Sequence, residues 1–401
     1  MQKPLNIFHI TCYDKHIIYY FVLGGTIFLE IYLDNAATTK PYLDAAFAQH
    51  EKGGWYNPSA AYKAAEAVFS EIKSVRQTLA QNLGLQNGNC VFTSGGTEAN
   101  NMAVLSGWRK GAHFITSTIE HPSVYVMFKH LEQQGAEVDY VSPKGFHIEP
   151  EDVASLIRED TALVSIMHVN NETGALNDIK EICRAVNAKN PETLFHSDGV
   201  QALLKTPIDL NELGVDYYTV SAHKIHGLKG TGALLARQGR TIKPLLLGGS
   251  QESVLRAGTE NTLGIQVFGE ALRRGFADTM TDAHIKALRA ALVTGLSQIE
   301  GAVVNIPAEY VPHIVSVSFE GIRAEVLARL LGDQGICIGT GAACSRGKVS
   351  RVLLECGIKR PLAEGTVRIS MSNNNTTDDI QICLEALDKA VHQLRRFSHR
   401  G

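Results

Sequence analysis

Lys224 lies at a point of the sequence where an amine could be held in a binding site. Segment 217–230 (YYTVSAHKIHGLKG) begins with apolar and aromatic residues typical of a buried strand. It then passes through small residues into a loop that contains Gly227 and Gly230. A lysine delivered to such a loop can form a Schiff base with a carbonyl compound. Most lysines are solvated surface charges, so this segment alone leaves both interpretations open.

A glycine turn earlier in the chain has a pattern that suits a phosphate. Residues 90–93 are typical of a strand, 94–96 (SGG) of a tight turn, and 97–105 of a helix. The first turn of a helix offers free N–H groups and the positive end of the helix dipole. The lysine of a Walker loop and the third glycine of a dinucleotide fingerprint are missing. Taken alone, the pattern also fits an ordinary strand-to-helix turn.

Strand and helix patterns alternate through the first two thirds of the chain. A long helix is predicted from Ser59, as its N-cap, to Leu83, with Gly84 as its stop. Further strands are predicted at 113–116, 136–141, 163–167 and 193–196, separated by helices that begin near Pro122 and Ile179. This alternation predicts an α/β fold with a mainly parallel sheet and helices on both faces.

Polar residues recur where the predicted strands end. In sheets of this kind, ligands bind beyond the carboxyl ends of the strands. The residues at that edge, taken strand by strand, are Thr97, His121, Asn171, Asp198 with Gln201, and Lys224. Together they meet the needs of pyridoxal phosphate: a helix end for the phosphate, a histidine to stack on the ring, an aspartate for the pyridine nitrogen and a lysine for the aldehyde.

The pattern restarts after residue 277 as a smaller α+β unit. A helical stretch at 263–299 leads into a strand at 314–319, a helix at 324–331, a Gly-rich loop at 339–348 and a strand at 366–371. We therefore expect a large domain over 31–277 and a small C-terminal domain over 278–401. Residues 31–40 are expected to pack with the small domain.

Residues 1–30 form an N-terminal extension of doubtful role. Residues 17–29 are largely apolar and follow Lys15 and His16, which faintly resembles a signal peptide. The run is too short to span a bilayer, and Glu30 closes it without a small-residue cleavage site. We favour a nonessential extension or an early start codon over export.

The seven cysteines include no Cys-x-x-Cys pair. An odd set spread over 401 residues argues against a disulfide framework and for a reducing cytoplasm. The fifteen histidines show no metal-ligand spacing, which disfavours a metal site. Cys344 differs from the others because it lies among small residues in the loop 339–348, beside Arg346 and Lys348, cations that favour a thiolate. The other cysteines from Cys90 onward, namely Cys90, Cys183, Cys337, Cys356 and Cys383, are expected to be structural.

The net charge of −3 at pH 7 argues against a nucleic-acid-binding face and against electrostatic attraction to a membrane.

From about Ile31 onward the chain resembles the cysteine desulfurases of the NifS/IscS type, which are class V members of the fold-type I pyridoxal phosphate enzymes. The resemblance covers more than nine tenths of the sequence. The matching segments are 32–39 (YLDNAATT), 92–98 (FTSGGTE), 120–121 (EH), 167–174 (MHVNNETG), 221–224 (SAHK) and 342–345 (AACS).

The resemblance implies a role for each site residue. Lys224 would bind the cofactor aldehyde and act as a catalytic base, Asp198 would contact the pyridine nitrogen, and His121 would stack on the ring. Gln201 and Asn171 would address the ring hydroxyl and the substrate. The phosphate would be held by Gly96, Thr97, Ser221 and His223. Thr259 would reach the phosphate of the other subunit of a homodimer, and the substrate would bind at Asn35, Asn171 and Arg368.

The resemblance also implies a reaction. L-cysteine would be converted to L-alanine, leaving a persulfide on Cys344 that passes to an iron–sulfur scaffold or a tRNA-thiolating enzyme. Two rivals stay open: a class V aminotransferase or lyase acting on another amino acid, and a non-catalytic scaffold. The chain departs from the family pattern at Tyr62, where histidine is frequent, and in a shorter, more basic loop between Cys344 and Ser350.

Overall fold

The computed structural model describes residues 10–13, 16–23, 26–85, 87–278, 281–341 and 349–398. Its strands, in chain order, are β1 (Ile10–Tyr13), β2 (His16–Leu23), β3 (Thr26–Leu29), β4 (Ile31–Leu33), β5 (Asn89–Thr93), β6 (His113–Ser117), β7 (Glu137–Val141), β8 (Thr161–Ser165), β9 (Leu194–Asp198), β10 (Tyr217–Ser221), β11 (Gly232–Ala236), β12 (Ala302–Asn305), β13 (Ile314–Phe319), β14 (Ile336–Thr340) and β15 (Thr366–Ser370).

The helices in the described part of the chain are α1 (Leu43–Glu51), α2 (Lys63–Asn82), α3 (Gly96–Ser106), α4 (Pro122–Gln133), α5 (Pro150–Ser155), α6 (Ile179–Lys189), α7 (Leu210–Leu213), α8 (Thr262–Ala277), α9 (Thr281–Leu296), α10 (Ala324–Gly332), α11 (Arg351–Glu355), α12 (Arg360–Ala363) and α13 (Thr377–Ser398). Among the described residues, no helix is long and apolar enough to cross a membrane.

Seven of the described strands form the larger sheet, in the order β5-β11-β10-β9-β8-β6-β7. β11 runs antiparallel to both neighbours, while the pairs from β10 to β7 are all parallel. Every residue of β8 and β10 is buried, as expected for strands covered by helices on both faces. The predicted α/β class with a mainly parallel sheet is confirmed.

Sequence reasoning missed β11. Its sequence, GALLA, contains glycine and two alanines, residues that are depleted in strands. The strand is nevertheless buried along its whole length and pairs with β10 from Tyr217↔Ala236 to Ser221↔Gly232. Tertiary pairing therefore decides its conformation, whereas local propensity does not.

The long helix α2 follows from its apolar spacing. Its buried residues are Ala65, Val68, Ile72, Val75 and Leu79, which recur every three or four positions and so form one face. The predicted N-cap at Ser59 is wrong.

The helix instead begins at Lys63, after Tyr62. The Ser59 amide donates to Asn57 Oδ1, so this segment forms a turn and not the start of the helix. The predicted stop is close to the observed end, since Gly84 adopts φ +69 two residues after the helix.

Five further strands form a second sheet in the order β12-β13-β15-β14-β4. β4 comes from the start of the chain, and it pairs in parallel with β14 at Ile31↔Ile336. Helices α9, α10 and α13 supply the apolar side that covers this sheet, with Leu292, Leu327 and Leu387 all at 0% exposure. The predicted helical stretch 263–299 is divided between α8 and α9. The domain boundary at residue 277 stays a prediction.

β1, β2 and β3 form a separate antiparallel sheet within the N-terminal extension, for which sequence reasoning predicted no structure.

Adjacent residues of α10 provide a test of the second core. Leu327 is fully buried, while Val326 is 42% exposed. We expect Leu327→Ala to lower the free energy of unfolding by about 2–5 kcal/mol, since it removes apolar contacts and leaves a cavity. Val326→Ala should change it by less than about 0.5 kcal/mol. Urea unfolding followed by circular dichroism measures both, and equal effects would contradict the assigned packing.

Candidate active site

Lys224 lies where the two sheets meet. β10 ends at Ser221, and a single 3-10 turn over Ala222–Lys224 carries the lysine away from the strand. Its Nζ donates to the carbonyl oxygens of Ala36 at 2.6 Å and Ala37 at 2.8 Å. These carbonyls follow β4, so the amine joins the large sheet to a loop that begins in the second sheet.

Asp198 ends β9, beside the strand that carries Lys224. Its carboxylate is 5% exposed. Oδ1 accepts from the Val200 amide at 3.0 Å, and Oδ2 accepts from Asn100 Nδ2 at 2.7 Å. Two donors thus fix the orientation of a buried carboxylate.

His121 is joined to the same network. It caps the N-terminus of α4, and its Nδ1 lies 2.7 Å from Ser123 Oγ. Ser123 Oγ in turn accepts from Asn100 Nδ2 at 2.8 Å. Burial lowers the pKa of His121, the Asp198 carboxylate opposes that effect, and the Lys224 ammonium adds to it. The imidazole is therefore neutral at pH 7, and it lies in the electrostatic field of both predicted cofactor residues.

The glycine turn before α3 lies next to the end of β10. Gly95 adopts φ 151, a conformation that favours glycine. No atom lies within 4 Å of the position that a Cβ on Gly95 would take. A Cβ on Gly96 would lie 3.7 Å from Cβ of Ser221. Ser221 Oγ is buried and has no hydrogen-bond partner within the described part of the chain. The turn, the helix N-terminus and a free hydroxyl therefore share one spot.

His223 and Gln201 hold the loop that follows β4. His223 Nδ1 lies 3.2 Å from Thr38 Oγ1, and Gln201 Nε2 donates to the Ala36 carbonyl at 2.8 Å. Burial, together with the charges of Lys224 and Lys229, lowers the pKa of His223 to about 4. Its ring is neutral at physiological pH and can donate one hydrogen bond.

Arg368 approaches from the second sheet, on β15. Its guanidinium is 3% exposed, Nη1 donates to the Asn171 carbonyl at 2.6 Å, and Nη2 pairs with Asp34 Oδ1 at 2.9 Å. Nε has no partner among the described residues. Asn35 lies just after the end of β4, and its Nδ2 donates to the Ser370 carbonyl at 2.9 Å. The structure therefore brings Arg368, Asn171 and Asn35 to one edge.

Two predicted site residues are not placed beside these groups. Thr259 is in an exposed loop, although Arg256 of the same segment pairs with Glu98 of α3 at 2.9 Å. Cys344 and most of the loop whose length departs from the family pattern lie outside the described residues, so their roles stay predictions.

The two ends of the Cys344 segment are described, and both lie beside Arg368. The Gly341 amide donates to the Thr366 carbonyl at 3.0 Å, two residues before Arg368 on β15. At the other end, Ser350 Oγ donates to the Glu172 carboxyl group. Glu172 follows Asn171, the residue whose carbonyl binds Arg368. The loop that contains Cys344 therefore starts and finishes at the predicted substrate site.

Sequence reasoning missed four polar residues that support the site. Asn100 and Ser123 link Asp198 to His121, and Glu172 anchors Ser350. Glu120, fully buried, accepts from the Met167 amide at 2.9 Å and so joins the ends of β6 and β8. The conspicuous polar pairs in 100–101 (NN) and 120–121 (EH) were the available signals, but their partners are remote in sequence.

The other described cysteines are poor candidates for nucleophiles. Burial raises the pKa of Cys90, Cys183, Cys356 and Cys383 to about 12, which holds them as thiols. Cys337 is partly exposed, and burial raises its pKa also. Across the described ranges, no group of three His, Cys, Asp or Glu side chains could hold a metal ion.

Comparison with known proteins identifies the family. The family model "Aminotransferase class-V" matches residues 31–383. The chain belongs to the class V aminotransferase family. Its relatives include "Cysteine desulfurase IscS" of Methanosarcina thermophila, which is 37% identical over 379 residues and aligns with 92% of this chain and 93% of its own length. The resemblance to the NifS/IscS type seen in the sequence is confirmed.

Solved structures of similar proteins confirm the fold-type I architecture. A structure titled "NIFS-LIKE PROTEIN" superposes with a TM-score of 0.85 at 33% identity, covering 91% of this chain and 100% of that one. Another, titled "SspA in complex with cysteine", gives a TM-score of 0.73 at 31% identity, with 85% and 98% coverage.

The buried carboxyl group of Glu120 makes the free energy of unfolding depend on pH. Burial raises its pKa to about 8, because water no longer solvates the carboxylate. Between its ordinary value of 4.5 and 8, the unfolded chain ionises while native Glu120 stays protonated. Stability is therefore highest below that window and falls as pH rises through it, by up to about 1.4 kcal/mol per pH unit.

Glu120→Gln cannot ionise, so we expect the variant to gain stability over the wild type progressively between about pH 5 and pH 8. Glu132→Gln, a partly exposed position on α4, is the matched control and should follow the wild type. Urea unfolding at a series of pH values measures the difference. Parallel curves for wild type and Glu120→Gln would show that Glu120 titrates normally.

Proposed function

We propose that this protein is a pyridoxal-phosphate-dependent cysteine desulfurase that converts L-cysteine to L-alanine and leaves a persulfide on Cys344. Family membership and relatives named as cysteine desulfurases support the reaction class. The observation that carries the proposal is the anchoring of both ends of the Cys344 segment beside Arg368. An aminotransferase needs no thiol delivered there.

The described residues fit the cofactor. The open space at Gly95, the N-terminus of α3 and the unpaired Ser221 hydroxyl suit a phosphate, which accepts hydrogen bonds from all three. Gly96, Thr97 and His223 complete that set. The oriented Asp198 carboxylate suits a protonated pyridine nitrogen, Gln201 suits a ring hydroxyl, and neutral His121 suits a stacked ring.

Pyridoxal phosphate, when bound, supplies an electron sink that makes the α-proton of an amino acid removable. Lys224 would hold the cofactor and, once its amine is released by the substrate, carry that α-proton. The Ala36 and Ala37 carbonyls keep its Nζ at the junction of the sheets. Asp198, oriented by Asn100 and the Val200 amide, would contact the ring nitrogen.

Arg368 would bind the substrate carboxylate with its planar guanidinium, a geometry that suits a carboxylate. Asp34 and the Asn171 carbonyl already fix its orientation, and its Nε remains available among the described groups. Asn35 and Asn171 would line the same site.

Sulfur transfer balances without an added oxidant. The Cys344 thiolate attacks the substrate sulfur, an S–S bond forms, and the bond between that sulfur and the substrate β-carbon breaks. The β-carbon takes up a proton, which gives alanine. The persulfide on Cys344 then passes to an acceptor protein, an iron–sulfur scaffold or a tRNA-thiolating enzyme.

We also propose a homodimer located in the cytoplasm. The loop before Thr259 exposes apolar side chains, with Leu247 at 86% and Val254 at 65% exposure, a feature that favours a protein interface. A second copy that covers this loop would bring Thr259 to the partner's phosphate site. The cytoplasmic location is proposed from the absence of a disulfide pattern in the sequence.

Lys224→Ala tests the cofactor assignment. The variant should lose the visible absorption band of bound cofactor and all desulfurase activity. Lys229→Ala, which removes an exposed lysine five residues further on, should retain both. Absorption spectra after incubation with pyridoxal phosphate are the measurement, with circular dichroism to confirm folding. An unchanged band in Lys224→Ala would overturn the assignment.

Cys344→Ala tests the sulfur-transfer step. We expect alanine formation from cysteine to fall on the order of 100-fold or more, the effect of losing a catalytic nucleophile. The visible spectrum should stay normal, because the cofactor site is intact. Cys337→Ala is the matched control and should keep its activity. A normal rate of alanine and sulfide release by Cys344→Ala, without added thiol, would refute this role.

A further inference from the structure

A cavity of about 920 Å³ lies between the seven-stranded and the five-stranded sheet. We refer to it as the intersheet cavity. The segments that follow β9 and β10 form one side of it, and helices α8 and α9 form another. Residues that precede β13 and follow β15 close it from the second sheet. Its volume is within the range of pockets that enclose a small organic molecule.

The intersheet cavity is separate from the candidate active site. None of the residues assigned above to cofactor or substrate binding lines it. The closest approach along the chain is at Ile225 and His226, which line the cavity directly after Lys224.

Lys205 is the charged group of the intersheet cavity that lacks a counter-ion. Within the described part of the chain, its ammonium has no hydrogen bond and no acidic partner. Burial lowers its pKa to about 8, so most of the side chain is still protonated at pH 7. The residue is only half-buried, so its ammonium can be reached from the cavity, and an anion there would offset the cost of its partial desolvation. The other described lysines in ion pairs, such as Lys180 with Glu212 at 3.3 Å, are exposed by comparison.

The remaining charged groups on the wall do not supply that counter-ion. They comprise two cations and two acids, and no acidic group acts on the pKa of Lys205, which burial alone lowers. Lys286 pairs with Asp282 at 2.6 Å, and Arg274 pairs with Asp44 at 2.6 Å. The charged residues of the wall besides Lys205 are Arg274, Asp278, Asp282 and Lys286. Its two histidines, His226 and His313, are neutral imidazoles.

His313 is a second buried polar group of the intersheet cavity that has no partner among the described residues. It is 3% exposed, and neither ring nitrogen has a hydrogen-bond partner among the described residues. Burial lowers its pKa well below the ordinary value, and the charges of Lys205, Arg289 and Arg368 lower it further. An anion in the intersheet cavity would pair with the Lys205 ammonium. It would also offset the repulsion between the neighbouring cations and a protonated His313.

Apart from polar residues such as Asn82, Thr206 and Asn373, the rest of the wall is mainly apolar. Leu83, Ile225, Phe276 and Val311 face the cavity from four different segments. An inorganic ion would leave these apolar side chains in contact with water. The apolar part of an organic anion would cover them, which is favourable.

We propose that the intersheet cavity binds a small organic anion, with a carboxylate or phosphate group at Lys205 and an apolar body against the surrounding walls. This site goes beyond the proposed desulfurase activity and does not depend on it. Because such a ligand contacts segments of both sheets, its binding should stabilise them against unfolding.

The test uses the protein as purified, saturated with pyridoxal phosphate so that the cofactor phosphate site is filled. Phenyl phosphate and benzoate are the organic probes, and inorganic phosphate and phenol are the controls for charge and apolar surface alone. Isothermal titration calorimetry and thermal unfolding are measured for the wild type, Lys205→Met and Lys180→Met.

We expect at least one organic probe to bind the wild type and raise its Tm. Its affinity should fall about tenfold or more in Lys205→Met, the loss of one charge-assisted contact, and should be unchanged in Lys180→Met. Both controls should bind more weakly than that probe. Equal binding to Lys205→Met, equal binding of inorganic phosphate, or no binding of either probe at millimolar concentration would overturn the proposal.

A second measurement needs no variant, in case Lys205→Met does not fold. Acetic anhydride acylates neutral amines, so at pH 8 Lys205 should be acetylated in the wild type, as peptide mass spectrometry would show. The bound organic probe should protect Lys205 and leave Lys180 unprotected. Acetylation of Lys205 at the same rate with and without saturating probe would also overturn the proposal.

Discussion

The Ala36 and Ala37 carbonyls hold the Lys224 amine at the point where two sheets meet, and the candidate site depends on that contact. β10 brings the lysine from the large sheet, while the carbonyls follow β4, a strand that pairs within the second sheet. The lysine is therefore positioned by both sheets together. Because Arg368 belongs to the same junction, a shift between the sheets would move Lys224 and Arg368 relative to one another.

Polar groups buried at this junction are stabilised through hydrogen bonds to one another, since an unpaired buried group is costly. Asp198, Asn100, Ser123 and His121 form one continuous chain of such bonds. Ser221 Oγ and Arg368 Nε have no partners among the described residues, and a bound phosphate and a bound carboxylate would supply them. These two unpaired donors are the structural reason to place a ligand here.

Much of this architecture was predictable from the sequence, because strand ends of a parallel sheet share an edge and helix starts carry a local signature. The start of α4 at Pro122 and the strand Ile314–Phe319 were predicted correctly. β11 was missed because its stability comes from pairing, and Ser59 was wrongly made an N-cap because a local Asn57 turn competes with the helix. The roles of Asn100 and Glu172 depend on partners remote in sequence, which no local pattern reveals.

The central claim is that sulfur from cysteine becomes covalently attached to Cys344. The most direct measurement is mass spectrometry of peptides from the wild-type protein after it has reacted with one equivalent of L-cysteine and been quenched with a thiol-alkylating reagent. The account predicts the mass of one added sulfur atom on the peptide that contains Cys344, with one alanine formed per modified chain. Alanine formed without that added mass, or added sulfur on Cys337 in place of Cys344, would contradict it.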